Sequence, residues 1–329
     1  MSLAPRSSAR ITALGTYVPE RIVTNEEMSR IVDTNDEWIV QRTGIRERRY
    51  AREDEYTSHL CIAAVEDMVR RHGSRLDDID LILVATHTPD VPFPSTACLI
   101  QTHFGIPAAG AVDLNATCAG FVYGLHMANS FISSGLHRKV LVLGADALTK
   151  ITNFEDRTTC ILFGDGAGAA LVEYTEDEGA FLAAHLGSDG KGGKHLYRAG
   201  LADSLFGEQL GGGGKLVQNG REVYKFAVST VPKGIEALLA QSGLPLGRID
   251  AFIPHSANTR IIESICERSG IPFEKALYSN EYYGNTSAAT IPLALQLGID
   301  EGRVKPGDKL LLYGFGGGFV HAGLIVRWG

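Results

Sequence analysis

Cysteine is scarce and scattered. There are five, Cys61, Cys98, Cys118, Cys160 and Cys266, and no two form a CxxC pair. A disulfide framework and a zinc site are therefore not expected, and free thiols in a reducing cytoplasm fit best. Basic excess is missing as well: 31 Lys and Arg against 38 Asp and Glu leave a formal charge of −7. Nothing broadly basic is there to track a phosphate backbone, so nucleic-acid binding is not expected, although a local basic patch for a small anion stays open. No apolar run is long enough to span a bilayer. The start, MSLAPRSSAR (1–10), has no apolar signal region after its charges and reads as a ragged terminus. Metal and phosphate motifs are lacking too. There is no HExxH and no EF-hand loop. GGGGK (211–215) is followed by Leu216 rather than Ser or Thr, and GDGAGAA (164–170) lacks dinucleotide spacing. No metal and no permanently bound cofactor is expected.

What is present is a repeat. Shifted by 170 positions, segment 56–85 lies on 226–255: Glu66 meets Glu236, Gly73 meets Gly243, and Ile79-Asp80 meets Ile249-Asp250. The register continues with Asn115 on Asn285, Ala119 on Ala289, and Gly144 on Gly314. Each member reads as an amphipathic helix, a glycine stop, a loop and a buried strand. Strands alternating with helices predict an α/β fold of mainly parallel sheets with helices on their faces, in two halves about a pseudo-twofold axis. The halves are placed at 1–175 and 176–329. Segment 186–220, rich in Gly and Lys, has no counterpart in the repeat and reads as a long surface insertion. Ligand sites in such sheets favour the carboxyl ends of strands, near the seam.

Three side chains there could do chemistry. Cys118, in DLNATCAG, sits where a strand runs into a helix start, a position that favours thiolate. His255 follows the strand AFIP, where the front half has Ala85. Asn285 precedes a run of small residues opening a helix. Taken singly, each has a plainer reading: a buried structural thiol, a satisfied core histidine, a turn asparagine. Together, pseudo-twofold packing would turn all three into one cleft, as nucleophile and paired hydrogen-bond donors. The glycine run Gly316-Gly317-Gly318 could add free backbone N–H groups.

Six ordered segments, DEWIVQRTGIRERR (36–49), ATCAGFVYGL (116–125), FGDGAGAA (163–170), PHSAN (254–258), GNTSAA (284–289) and GFGGGF (314–319), make the chain resemble the β-ketoacyl-acyl-carrier-protein synthase III family nearly end to end. The resemblance implies a thiolase-like, internally duplicated αβαβα fold, usually homodimeric. It implies transfer of an acyl group from acyl-CoA to Cys118, then decarboxylative condensation with malonyl-acyl carrier protein, starting a fatty acid. His255 and Asn285 would serve the enolate oxygen, and the N–H groups of Cys118 and Gly317 the acyl oxyanion. CoA would run past Trp38, Arg42, Arg157 and Asn258. Lys225 and Arg260 would meet the carrier protein, and Phe93 would line the acyl pocket across the dimer. Ser256 and Glu267 depart from what is common in the family. Alternatives stay open: a condensing enzyme or acyltransferase of secondary metabolism with another acceptor, or a thioester hydrolase.

Overall fold

The computed structural model describes residues 7–329. Residues 1–6 of the ragged start lie outside the described residues, and Ala9 already belongs to a strand. The front half runs β1 (Ala9–Tyr17), α1 (Thr57–His72), β2 (Leu81–Ala85), α2 (Thr96–His103), β3 (Gly110–Leu114), α3 (Gly120–Ser133), β4 (Lys139–Ala147) and β5 (Asp165–Tyr174). The rear half runs β6 (Phe181–Ser188), α4 (Gly220–Ser242), β7 (Ala251–Pro254), α5 (Thr259–Ser269), α6 (Thr290–Asp300), β8 (Lys309–Gly316) and β9 (Val320–Arg327). The repeated glycines Gly73 and Gly243 end α1 and α4 in the left-handed region, φ 65° and 68°. A Cβ would be strained there, so the same stop recurs in both halves.

The front sheet has the order β1-β5-β4-β2-β3 and the rear sheet β6-β9-β8-β7. Beside β7 a parallel bridge from Phe252 to Ala276 takes the place of a fifth strand. The pairings follow the same rule in both sheets: β4/β2, β2/β3 and β8/β7 are parallel, while β1/β5, β5/β4, β6/β9 and β9/β8 are antiparallel. The sheets are thus mixed rather than mainly parallel. The cause is local, since Gly317–Phe319 joins β8 to β9 as a hairpin and no α-helix crosses between β4 and β5.

The inner strands β2, β4, β7 and β8 are buried on both faces, with period two. Leu81, Leu83, Val140, Val142, Leu310 and Leu312 face a central layer holding α3 and α6. Ile82, Val84, Leu141 and Leu143 face outward against α1 and α2, and Leu311, Tyr313 and Phe315 face α4 and α5. The result is five layers, helix–sheet–helix–sheet–helix. At about 1.5–3 kcal/mol for each fully buried aliphatic side chain, these two-faced strands are the main source of stability.

Two glycines let the halves interlock. A Cβ on Gly314 of β8 would lie 2.6 Å from Ala119 Cα, and one on Gly144 of β4 would lie 2.7 Å from the Ala288 carbonyl oxygen. The turn before α3 therefore sits on the rear sheet, and the turn before α6 on the front sheet. Segment 186–220 differs from its sequence reading. Residues 186–188 complete β6, and beyond them the strands Leu196–Arg198 and Leu216–Gln218 pair and fold over the seam. It is a cover, because Leu196 and Leu216 pack with the cluster around Val23, Ile39 and Phe163.

Candidate active site

The seam holds a cavity of about 1280 Å³. Cys118, His255, Asn285, Gly317, Trp38, Arg42, Asn258 and Arg260 all line it. Arg157 is not part of the lining but stacks on Trp38, which is, its guanidinium carbon 5.0 Å from the ring centroid; that of Arg42 is at 5.7 Å. Asn258 caps α5 and ties Arg42 in place, its Nδ2 donating to the Arg42 carbonyl at 3.0 Å. Lys225 is exposed on α4, paired with Glu222 at 2.6 Å, and is not part of the wall. Phe93 is 85% exposed and stands outside the cavity of its own chain.

Cys118 lies in a tight turn, Thr117–Ala119, that leads into α3. Thr117 has φ 44°. Its repeat partner Ser287 has φ 53° in the matching turn before α6. Non-glycine residues seldom adopt that region, and such strain gathers at functional sites. The Ser287 hydroxyl lies 3.4 Å from the Cys118 sulfur. Gly316 lets β8 pass close by, since a Cβ there would sit 3.0 Å from Cys118 N. The sequence expectation of a favoured thiolate is not met at rest. Burial pushes the thiol up to about 12, more than the Ser287 hydrogen bond brings it down.

Asn285 is fixed at three points. Its N–H donates to the Leu162 carbonyl at 2.8 Å, its carbonyl accepts from Gly164 N at 3.1 Å, and its Oδ1 accepts from Ser287 N at 2.9 Å. The Nδ2 group is left for the cavity. FGDGAGAA is explained here: a Cβ on Gly164 would fall 2.1 Å from the Tyr283 carbonyl oxygen, so glycine alone lets the two segments meet. Behind them the fully buried Arg48 donates to the Ile161 carbonyl at 2.8 Å and the Val23 carbonyl at 3.2 Å.

His255 is buried, edge-on to Phe315 with centroids 5.2 Å apart, and its Nδ1 is 2.7 Å from Thr290 Oγ1. Burial lowers its pKa to about 3, so it is a neutral ring near pH 7. The Thr290 hydroxyl also donates to the Ser287 carbonyl at 2.9 Å, and in that orientation its oxygen accepts from Nδ1. Donation from Nε2 into the cavity requires the Thr290 hydroxyl to turn from that carbonyl to Nδ1. Sequence reasoning missed Thr290, yet a signal existed. Its repeat partner is Gly120, which packs on Ala85, the partner of His255. Both members of that pair differ between the halves. Also missed were His87, on the cavity wall, and the buried Asp146 beside it. Among the described residues no cluster of His, Cys, Asp and Glu is set to hold a metal ion, and no helix is long and apolar enough to cross a membrane.

Comparison with known proteins settles the family. Models of 3-oxoacyl-[acyl-carrier-protein] synthase III and of its C-terminal region match residues 112–190 and 239–328. A β-ketoacyl-[acyl-carrier-protein] synthase III 2 of Halalkalibacterium halodurans is 60% identical over 98% of this chain and 97% of its own. The chain belongs to the 3-oxoacyl-[acyl-carrier-protein] synthase III family. A synthase III 2 of Bacillus subtilis is 56% identical over 98% of this chain and 99% of its own. The structure of β-ketoacyl-[acyl carrier protein] synthase III from Thermus thermophilus superposes with a TM-score of 0.93 at 48% identity, covering 97% of this chain and 99% of that one. The fold is therefore the duplicated thiolase-like one, and synthase III enzymes are acyl-transferring condensing enzymes.

Proposed function

We propose that this synthase III works in the cytoplasm as a homodimer and condenses an acyl group from acyl-CoA with malonyl-acyl carrier protein, using Cys118, His255 and Asn285. Cys118 attacks the thioester carbonyl of acyl-CoA. The N–H groups of Cys118 and Gly317 receive the oxyanion, and CoA departs past Trp38, Arg42, Arg157 and Asn258. Malonyl-carrier protein then docks near Arg260 and Lys225. As CO₂ leaves, charge moves onto the malonyl thioester oxygen, where Nε2 of His255 and Nδ2 of Asn285 donate. The carbanion attacks the acyl-enzyme and frees Cys118. Neutral donors suit this task, since they stabilise the enolate without protonating its carbon. No resident metal or cofactor takes part in this scheme.

One observation carries the reading. A single cavity holds a thiol, an imidazole whose Nδ1 is engaged by Thr290, and a carboxamide whose Oδ1 is engaged by Ser287. The two remaining nitrogens are the ones the chemistry needs. Support for the dimer comes from β3. It is an open sheet edge with Val112 46% exposed, and Phe93 is exposed as well. Intact-protein mass with an acyl-CoA panel tests the scheme. Cys118→Ala gains no acyl mass, while His255→Ala acylates but fails to release CO₂ from malonyl. Condensation at wild-type rate in both variants overturns the assignment, and release of free acid alone makes the protein a hydrolase.

A further inference from the structure

The ladder between β8 and β9 closes at Gly316 and Val320. Residues 317–319 therefore lie outside it and depend on their neighbours for a fixed shape. On one side Thr117 Oγ1 donates to the Gly317 carbonyl at 3.1 Å. On the other side stands the first turn of the cover. Phe319 N donates to the Asp189 carbonyl, and Asp189 N donates to the Phe319 carbonyl, both at 2.7 Å. A Cβ on Gly317 would lie 3.2 Å from Leu196 Cγ, and one on Gly193 would lie 3.4 Å from the Gly318 carbonyl oxygen. The buried Phe319 ring joins the two pieces. It stacks on Phe226 of α4, with centroids 4.4 Å apart and planes at 17°, and on His195 of the cover at 6.1 Å and 26°. Gly192 admits it, because a Cβ there would sit 2.3 Å from Phe319 Cδ2. Leu196 and Gly317 both line the cavity, so the joint lies directly behind the substrate space.

We propose that Phe319 is a positioning residue for acyl transfer: it latches the cover to the β8–β9 hairpin and so fixes the Gly317 N–H that receives the acyl oxyanion. The latch rests on the reading of Cys118 as nucleophile and Gly317 N–H as donor. A run of glycines has wide backbone freedom, and a donor that can swing must be reoriented as charge develops. An oxyanion donor is effective because it is already aimed, so its value depends on whatever stops the swing. Thr117 holds the Gly317 carbonyl, while the paired Asp189–Phe319 bonds and the clamped ring hold the far end of the loop. The enolate donors hang elsewhere, His255 on the end of β7 and Asn285 on the turn before α6. Loosening the latch therefore weakens acyl transfer and leaves malonyl decarboxylation in place. Phe319 meets no reacting atom; it acts through Gly317.

Single-turnover acylation, read by intact mass over a range of concentrations of the acyl-CoA that the wild type takes up fastest, tests the latch. Phe319→Ala is expected to lower the maximal rate by about 10²-fold, the cost of misplacing a group by roughly 1 Å, and Phe319→Leu to recover most of it. The half-saturating concentration should stay within about threefold of wild type. Gly192→Ala drives a methyl into the same ring from the cover side and should slow acylation by roughly tenfold. Added to Phe319→Ala it should slow the reaction no further, because both act on one joint. Release of CO₂ from malonyl-carrier protein without an acyl primer should stay within about threefold of wild type in each variant, which also shows that the variant is folded. Wild-type maximal rates in Phe319→Ala overturn the latch. So does an equal loss of acylation and CO₂ release, which makes the ring a packing residue and nothing more. If Phe319→Ala does not fold, Phe319→Leu and Gly192→Ala decide by the same split. If the wild type takes up no acyl group, the nucleophile assignment itself fails; if it does and the variants match it, the latch alone fails.

Discussion

Asn285→Asp isolates one hydrogen atom. The substitution keeps Oδ1, which accepts from Ser287 N at 2.9 Å, and the backbone links to Leu162 and Gly164. Only the Nδ2 donor is exchanged for an oxygen. Alanine is a poorer probe, because it would strand the buried Ser287 N–H at a cost of about 1–3 kcal/mol and disturb the Cys118 turn. Losing one preorganised donor to a developing oxyanion costs about 2.7–4 kcal/mol, or roughly 10²–10³ in rate. A carboxylate adds repulsion of the enolate, so the loss should fall at the upper end. Release of labelled CO₂ from malonyl-carrier protein measures this step, and intact mass measures acylation separately. Acylation should persist while CO₂ release collapses. Burial raises a carboxyl pKa, so the aspartic acid regains an O–H donor as pH falls. Part of the lost rate should therefore return below neutral pH. CO₂ release within about threefold of wild type at neutral pH, from a folded variant, would refute the donor argument.

Other outcomes follow from the same geometry. An unfolded imidazole protonates near pH 6.5, whereas His255 does so near 3. The unfolded chain then holds more protons between those values, so stability falls as pH drops through them. Its share between pH 7 and 5 is about 2 kcal/mol, and urea unfolding of His255→Gln should lack that share. Gly314→Ala would push a methyl to 2.6 Å from Ala119 Cα. It should cost about 1–3 kcal/mol of stability and slow acylation, while Gly247→Ala, with open space around it, should be neutral in the same denaturant titration. Val112→Lys places a charge on the open edge of β3 and should turn the proposed dimer into monomers in sedimentation velocity.

Much of this architecture was legible because a duplicated chain repeats its own physics. Gly73 and Gly243 need the same left-handed stop, and Gly144 and Gly314 the same close crossing, so register alone found both sheets. Strand direction was less legible, since a hairpin at Gly317–Phe319 and a helix-free link after β4 leave little trace in periodicity. Hydroxyl roles were hidden for another reason. Ser287 and Thr290 are ordinary small residues until the fold sets a sulfur and an imidazole against them. Asp146 was passed over although the sequence carried a signal for it. An acid at the end of the apolar run VLVLGA must find polar partners when the strand is buried.

The crossing at Gly144 and Gly314 has a consequence for how the polypeptide can be divided. Each sheet is completed by a turn that belongs to the opposite half. A nick in the link between Tyr174 and Phe181 would yield two fragments, each with a gap shaped for its sibling. Neither piece should hold a native pocket by itself, and mixing the two should restore labelling of the sulfur. In this molecule the duplicated units are not two enzymes joined in series but two incomplete shells that finish one another.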